Sequence, residues 1–256
     1  MSNPWLVGAL LNGGLLAIAI FLPKKLLTPW GFVHAWILGV LVWATLGWPG
    51  YTVVMFYFLV GSGVTRVGMA EKEAAGIAEK RSGARGPENV WGSALTGAIC
   101  ALGMLWVAAN SAADPAADPQ WGSLLLLGYV ASFSTKLSDT AASEVGKAYG
   151  KRTFLITTLQ PVPRGTEGAV SLEGTLAGVI ASIAIAVVGW AVGSISAWGV
   201  AICAIAAFVA TNVESLIGAT LQENIPWLTN EVVNFINTAI GAVVAIALGW
   251  GLMANF

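Results

Sequence analysis

Apolar residues run through the chain in blocks of about 20, the length at which an α-helix crosses the hydrocarbon of a bilayer. Eight blocks can be drawn, at about 5–22, 30–48, 50–68, 91–109, 121–146, 172–193, 197–219 and 230–253. The second and third are parted only by Trp48-Pro49-Gly50, a tight turn, so seven to nine spans bracket the count. The fold expected is all-α, a polytopic transmembrane helix bundle forming one integral membrane domain over residues 1–256. Small residues are dense in the blocks, as in TLAGVIASIAIAVVG and GAVVAIALGWG. Gly and Ala let membrane helices approach closely where no hydrophobic effect drives them together. Trp30, Trp48, Trp91, Trp121, Trp198 and Trp227 fall near block ends, where interfacial anchors sit.

Composition agrees. Hydrophobic residues make up 57% of the 256 and charged residues only 10%, against roughly 25% charged in soluble domains. A formal net charge of −1 carries no basic signature for nucleic acid. Cys100 and Cys203 sit inside apolar runs without metal-ligand neighbours and read as small core residues. His34 has no acid or base nearby in sequence and reads as a hydrogen-bonded structural histidine. The start, MSNPWLVGALLNGGLLAIAIFLPKK, lacks the basic leader and small-residue cleavage site of a signal peptide, so a permanent first helix is expected. With no Arg- and Ser-rich transit peptide before it, a bacterial protein or a trimmed organellar one is expected.

Charge adds a direction. Under eight spans all 12 basic residues fall on or toward one side: Lys24, Lys25, Arg66, Lys72, Lys80, Arg81, Arg85, Lys136, Lys147, Lys151, Arg152 and Arg164. The other side carries Asp114 and Asp118 in SAADPAADPQ. The positive-inside rule makes the basic face cytoplasmic, with polar segments at about 69–90 and 147–171, and puts both termini on the non-cytoplasmic side. The segment EKEAAGIAEKRSGARGPENV reads as a short polar helix with a solvated face, in which Glu71 or Glu73 pairs along the helix, followed by a Gly/Pro loop. Arg85 and Asn89, where that loop re-enters the membrane, are candidates for substrate contact.

Two polar islands carry the candidate chemistry, SDTAASEVGKAYGKR (138–152) and TTLQPVPRGTEGAVSLEGT (157–175). Asp139 and Ser143 are four apart, and Gly146 and Gly150 continue their stripe. Helical spacing puts the carboxylate and hydroxyl on one face, and the glycines let a backbone or phosphate approach it. Lys136 lies one turn earlier, and Thr140, Glu144 and Lys147 form the adjacent stripe. Ionisable groups in a membrane span are costly unless paired or hydrated, which marks the stretch as functional. Nucleoside triphosphate chemistry needs carboxylates for Mg²⁺, cations on the phosphoryl groups and an oriented attacking oxygen. Asp139 and Glu144 suit the metal, and Lys147, Arg152 and Arg164 suit phosphate. No G-x-x-x-x-G-K-[ST] loop is present, so this is not a P-loop enzyme.

DTAASEVGKAYGKR followed by VSLEGTLAG resembles paired motifs of membrane CTP-using lipid enzymes, the polyprenol kinases and CDP-diacylglycerol synthases. DTAASEVG, TTLQPVPRGTEGAVSLEGTLAG, ESLIGATLQ and TNEVVNFINT together are similar to the membrane family that contains the plant and cyanobacterial phytyl-phosphate kinases, from about residue 60 onward. The resemblance implies a kinase that uses CTP and Mg²⁺ to phosphorylate a prenyl monophosphate, making phytyl diphosphate for tocopherol and phylloquinone synthesis. It implies site residues at Asp139, Ser143, Glu144, Gly146, Arg164, Gly165, Ser171, Glu173, Gly174 and Thr175, and at Glu214, Ser215, Asn230, Asn234 and Asn237. Asp139, Glu144, Lys147 and Arg164 would be catalytic. Asp139, Glu144, Glu173 and Glu214 would be the metal candidates, and Glu214, Ser215 and the three asparagines would face the substrate. Lys136, Arg152, Arg85 and Asn89 join the phosphate set from their position alone.

The later motifs also make physical sense by themselves. Glu214 and Ser215 fall near the cytoplasmic end of the seventh span. Asn230, Asn234 and Asn237 form one polar face at the start of the eighth, where free amides and the helix dipole suit a phosphate. Interhelical hydrogen bonding is the alternative role for each asparagine. An acceptor that is already a phosphate needs no strong base, so positioning and charge neutralisation would carry catalysis. The apolar helices would form a groove admitting the isoprenoid tail from the bilayer, with the nucleotide arriving from the cytoplasm of a bacterial, cyanobacterial-like inner or thylakoid membrane. A CTP-dependent polyprenol kinase, with a lipid alcohol as acceptor, or a cytidylyltransferase making a CDP-lipid could use the same site. A transporter would favour charge at the bilayer midplane and internal repeats, and neither is evident.

Overall fold

A computed structural model of the chain describes residues 3–21, 26–79, 83–113, 120–222 and 224–253. Lys24, Lys25, Lys80, Arg81, Asp114 and Asp118, on which part of the expected charge asymmetry rests, lie outside the described residues. The helices in order are α1 (Pro4–Ile20), α2 (Pro29–Val64), α3 (Met69–Ala74), α4 (Pro87–Ala113), α5 (Gln120–Tyr149), α6 (Leu172–Ala191), α7 (Ala197–Ile217) and α8 (Asn230–Met253). Two three-residue strands, β1 (Thr153–Leu155) and β2 (Ala169–Ser171), pair antiparallel between α5 and α6, with Thr153 opposite Ser171. A π turn, Gly218–Gln222, extends α7. The protein is thus a polytopic helical membrane protein. Among the described residues α2, α4, α6, α7 with its π turn, and α8 are long and apolar enough to cross a bilayer.

α2 is 36 residues long; straight, it would measure about 54 Å, far beyond a bilayer core of about 30 Å. It is not straight. Gly47 takes φ 62° and ψ −157°, a conformation that a Cβ disfavours, and Pro49 just beyond supplies no amide hydrogen to a continuing helix. The Thr28 amide at the head of α2 donates to the Arg85 carbonyl (3.0 Å). The Arg85 side chain donates to the Tyr57 hydroxyl (2.7 Å). In an unbroken helix Thr28 and Tyr57 would stand about 43 Å apart, so α2 doubles back as two antiparallel arms. These are the blocks read at 30–48 and 50–68, except that the second ends at Val64.

α5 occupies the centre and packs against α2, α4, α6, α7 and α8. From Leu127 to Ala141 every residue of it is buried. Enclosed by other helices, it can carry serines, threonines and charges that a lipid-facing helix could not. Neighbours reach it through glycines: a Cβ on Gly174 would stand 2.5 Å from the Ala142 carbonyl oxygen, and one on Gly178 3.0 Å from that of Ser138. Gly174→Val is therefore expected to force α6 off α5 and destabilise the protein by roughly 1–3 kcal/mol, read as a lower unfolding midpoint in detergent. Gly14→Ala on α1, where no atom lies within 4 Å of the new methyl, should leave the midpoint in place.

Helix polarity separates the ends of the bundle. α1 runs antiparallel to the first arm of α2: a Cβ on Gly8 would stand 3.3 Å from Trp43 Cβ, one on Gly39 would meet the Asn12 side chain, and the Trp36 indole donates to the Ala9 carbonyl (3.1 Å). The start of α1 and the end of α8 consequently lie away from the end where α5 finishes and α6 and α8 begin. Every charged side chain among the described residues lies in that latter half of the bundle. Trp30, Trp48, Trp121, Trp198 and Trp227 are exposed, as interfacial anchors are. Trp91 instead donates its indole N–H to His34 Nδ1 (2.8 Å), which gives His34 the structural role read for it. Both cysteines are buried and unpaired.

Candidate functional site

A cavity of about 680 Å³ opens at the charged end, walled by α5, the starts of α6 and α8, the end of α7, the second arm of α2, residues 78–79 and 83–85, and the loop at 165–170. α5 supplies its floor. Lys136 Nζ donates to Asp139 Oδ2 (2.5 Å), one turn on, and to Asn234 Oδ1 of α8 (2.8 Å). Asp139 and Lys136 are both within electrostatic reach of Glu214 on α7, as is Glu167 from the 165–170 loop. Two carboxylates thus stand together over one lysine in a largely enclosed space.

Arg85 reaches the cavity from the loop before α4. Its backbone is pinned to the head of α2 on both sides, accepting from the Thr28 amide and donating to the Leu26 carbonyl (each 3.0 Å). Its guanidinium lies 5.0 Å from the centre of the Tyr57 ring, a cation–π geometry that holds the side chain in one orientation. On the opposite wall Ser171 caps α6, its hydroxyl accepting from the Gly174 amide (3.1 Å). Ser171, Gly174 and Thr175 line the cavity there, where first-turn amides and the helix dipole favour an anion.

Most of the expected residues converge. Asp139, Glu144, Lys147, Lys136, Ser143, Gly146, Gly165, Ser171, Gly174, Thr175, Arg85, Asn89, Glu214, Ser215, Asn230 and Asn234 all line this one cavity. Four do not. Glu173 is not among the residues that line the cavity; in the first turn of α6 it is Ser171, Gly174 and Thr175 that do, with Gly174 packed on α5. Arg152 is exposed in the bend after α5. Arg164 donates to the Ala148 carbonyl (2.8 Å), capping the end of α5, where a cation is favoured by the exposed carbonyls. Asn237 is fully buried one turn below Asn234, and its side-chain amide has no hydrogen-bond partner in the structure.

Glu144 lines the cavity but is already engaged. Lys72 of α3, wholly buried, forms an ion pair with Glu144 Oε2 and also donates to the Thr65 carbonyl (2.8 Å). Lys147 stands 3.7 Å from Glu144 Oε1 and 3.8 Å from Glu79. The segment 69–79, read from sequence as a solvated helix, is therefore tied down by its own lysine, while Glu71 and Glu73 stay exposed. Helix-face spacing within so short a helix carries no sign that Lys72 alone turns inward. Tyr57, Ser93, Glu167, Thr211 and Glu231 also line the cavity without having been singled out. Glu167 and Glu231 sit inside the quoted motifs, and their charge beside the site asparagines and glycines was the available signal. Tyr57 lies in an apolar run that carries none. Among the described residues no group of three or more His, Cys, Asp or Glu forms a ready-made metal cage.

A polytopic helical membrane protein with a charged cavity at one end of its bundle is the class defined by these features. The chain belongs to the family described as Integral membrane protein DUF92, whose profile matches residues 12–242. It is 66% identical over 248 residues to an uncharacterized membrane protein of Synechocystis sp. (strain ATCC 27184 / PCC 6803 / Kazusa), covering 97% of this chain and 92% of that one. It is 46% identical over 228 residues to Protein VTE6, chloroplastic, of Arabidopsis thaliana, covering 88% of this chain and 66% of that protein. An uncharacterized membrane protein of Methanocaldococcus jannaschii is 30% identical over 224 residues, with 85% of this chain and 84% of that one covered. No solved structure matches.

Proposed function

We propose that the protein is a prenyl-monophosphate kinase, transferring the γ-phosphate of CTP or another nucleoside triphosphate to phytyl phosphate to give phytyl diphosphate. The observation that carries this is the convergence of Lys136, Arg85 and Lys147 with Asp139 and Glu214 in one cavity at the charged end of the bundle. The relation to VTE6 supports it, together with the motif resemblance to phytyl-phosphate kinases. Lys136 and Arg85 bind and orient the phosphates of donor and acceptor, and the α6 amides beside Ser171 receive a further anionic oxygen. An acceptor phosphate oxygen attacks the γ-phosphorus, one P–O bond forms, the bond to the β-phosphate oxygen breaks, and the nucleoside diphosphate leaves. Acceptor and donor enter as anions and leave as anions, so no side chain needs to remove a proton.

Adjacent carboxylates repel unless a cation stands with them. Asp139 and Glu214 therefore fit a Mg²⁺, which binds through one or two carboxylates plus substrate phosphates and waters. When bound, Mg²⁺ neutralises charge on the transferred phosphoryl group. Glu144, occupied by two lysines, and Glu173, off the cavity, do not fit that role. The basic half of the bundle faces the cytoplasm in this reading, so the nucleotide arrives from that side.

Purified protein in nanodiscs is incubated with γ-labelled CTP and phytyl phosphate. Label is expected in the extracted lipid, with CDP as the second product. Release of pyrophosphate with a cytidine-bearing lipid would instead establish nucleotidyl transfer, and the absence of both products with every nucleotide would sink the kinase reading.

A further inference from the structure

The walls of the cavity are not equally sealed. At depth on the α2, α4 and α5 sides they consist of buried side chains: Tyr57 is 4% exposed, Ser93 6% and Lys136 7%. On the α6 and α7 side Val179 and Phe208 line the cavity, and Phe208 is 47% exposed. Phe208 thus lines the cavity and also belongs to the exposed face of α7 that carries Ile205 and Val209. Val179 stands seven residues into α6 and Phe208 nine residues before the end of α7, which places both about 10–14 Å along their helices from the charged end. That depth falls within the hydrocarbon layer, below the headgroups. The outer surfaces beside the seam are apolar, with Leu176 and Ile180 on α6 and Ile205 and Val209 on α7 all exposed.

Polarity changes along this wall. One turn of α7 from Phe208 toward the charged end, Thr211 lines the cavity with its hydroxyl buried and without a hydrogen-bond partner. A further turn brings Glu214 and, across the cavity, Lys136. A buried hydroxyl without a partner is costly, so a polar group there marks where the wall ceases to be purely apolar. The order is apolar at depth, then a hydroxyl, then charges: the order of an amphiphile whose head is anionic and whose tail leaves sideways.

We propose that the seam between α6 and α7, framed by Val179 and Phe208, is a lateral mouth of the cavity. Through it passes the tail of a single-chain isoprenoid phosphate whose headgroup lies among Lys136, Arg85 and Thr211, and Phe208 sets which tails are accepted. The identity of the headgroup rests on the kinase reading; the position of the mouth does not. A tail held at Phe208 stays in the bilayer while its phosphate stands in the cavity, so the acceptor need not be extracted from lipid.

Two measurements test this. In nanodiscs, wild-type protein is irradiated with a twenty-carbon prenyl phosphate bearing a diazirine at mid-tail, then digested and analysed by mass spectrometry. Adducts are expected on residues 176–183 and 205–212, competed by unlabelled phytyl phosphate and not by diacyl phosphatidic acid. Adducts confined to other helices, absence of labelling, or equal competition by phosphatidic acid would overturn the proposal. Labelling at this seam in a protein that transfers phosphate from no nucleotide would leave the mouth standing and remove the kinase. Second, Phe208→Trp narrows the seam. The ratio of kcat/KM for a twenty-carbon to a five-carbon prenyl phosphate is expected to fall roughly tenfold, as for other changes of apolar pocket size. An unchanged ratio would show that Phe208 does not select the tail.

Discussion

Asp139→Asn is expected to reduce turnover by about 10³-fold, the scale on which charge stabilisation in an enclosed site acts, while the protein still inserts and folds. The substitution keeps the side-chain volume and removes only the charge. Lys136 loses its carboxylate at 2.5 Å but keeps the Asn234 oxygen at 2.8 Å, and the amide can turn its own oxygen to the ammonium. Glu214 loses the carboxylate with which it would share a divalent ion. Initial rates with γ-labelled nucleotide, set beside size-exclusion profile and thermal midpoint, separate chemistry from folding. Because Asp139 is also half of an ion pair, Glu214→Gln serves as the second variant; among the described residues no salt bridge involves Glu214, and a comparable loss is expected. Near wild-type turnover in both would remove these carboxylates from the reacting centre.

Lys72→Met is expected to be the most destabilising single change outside the helix packing, at about 3–5 kcal/mol, because it leaves a buried carboxylate without its partner. Lys72 and Glu144 have side-chain exposures of 0% and 2%, so water cannot replace the lost ammonium. Lys147 at 3.7 Å compensates only in part. A large drop in the detergent unfolding midpoint is the readout. Substituting both partners with apolar residues of similar volume is often neutral or stabilising, so Lys72→Met combined with Glu144→Leu should recover most of the midpoint. If the recovered double variant also retains turnover, Glu144 serves the fold; if it is stable and inactive, Glu144 acts on substrate through Oε1.

The helices were legible because lipid imposes a simple rule: side chains that face it must be apolar and every backbone polar group must be hydrogen-bonded internally. The 230–253 block is α8 to the residue, and the break at Trp48-Pro49-Gly50 is where α2 reverses, one residue after Gly47. Much of the cavity lining was legible too, since charges inside otherwise apolar blocks must be sheltered somewhere, and α5 brings Lys136, Asp139, Glu144 and Lys147 to one place. Which of those charges is spoken for was not. Whether a carboxylate meets a metal or a lysine depends on what packs opposite, and the partner of Glu144 comes from 72 residues earlier in the chain.

Sequence by itself therefore determined that this is a multi-pass helical membrane protein, that its charges favour one end, and that the stretch around Asp139 is its polar centre. Tertiary structure decided that Arg164 caps α5 and does not line the cavity, that Lys72 takes up Glu144, and that Glu173 stays outside the cavity lining. The physical reason is one of range. Hydropathy is a property of each segment against its solvent, whereas pairing and access are properties of surfaces that distant segments present to one another.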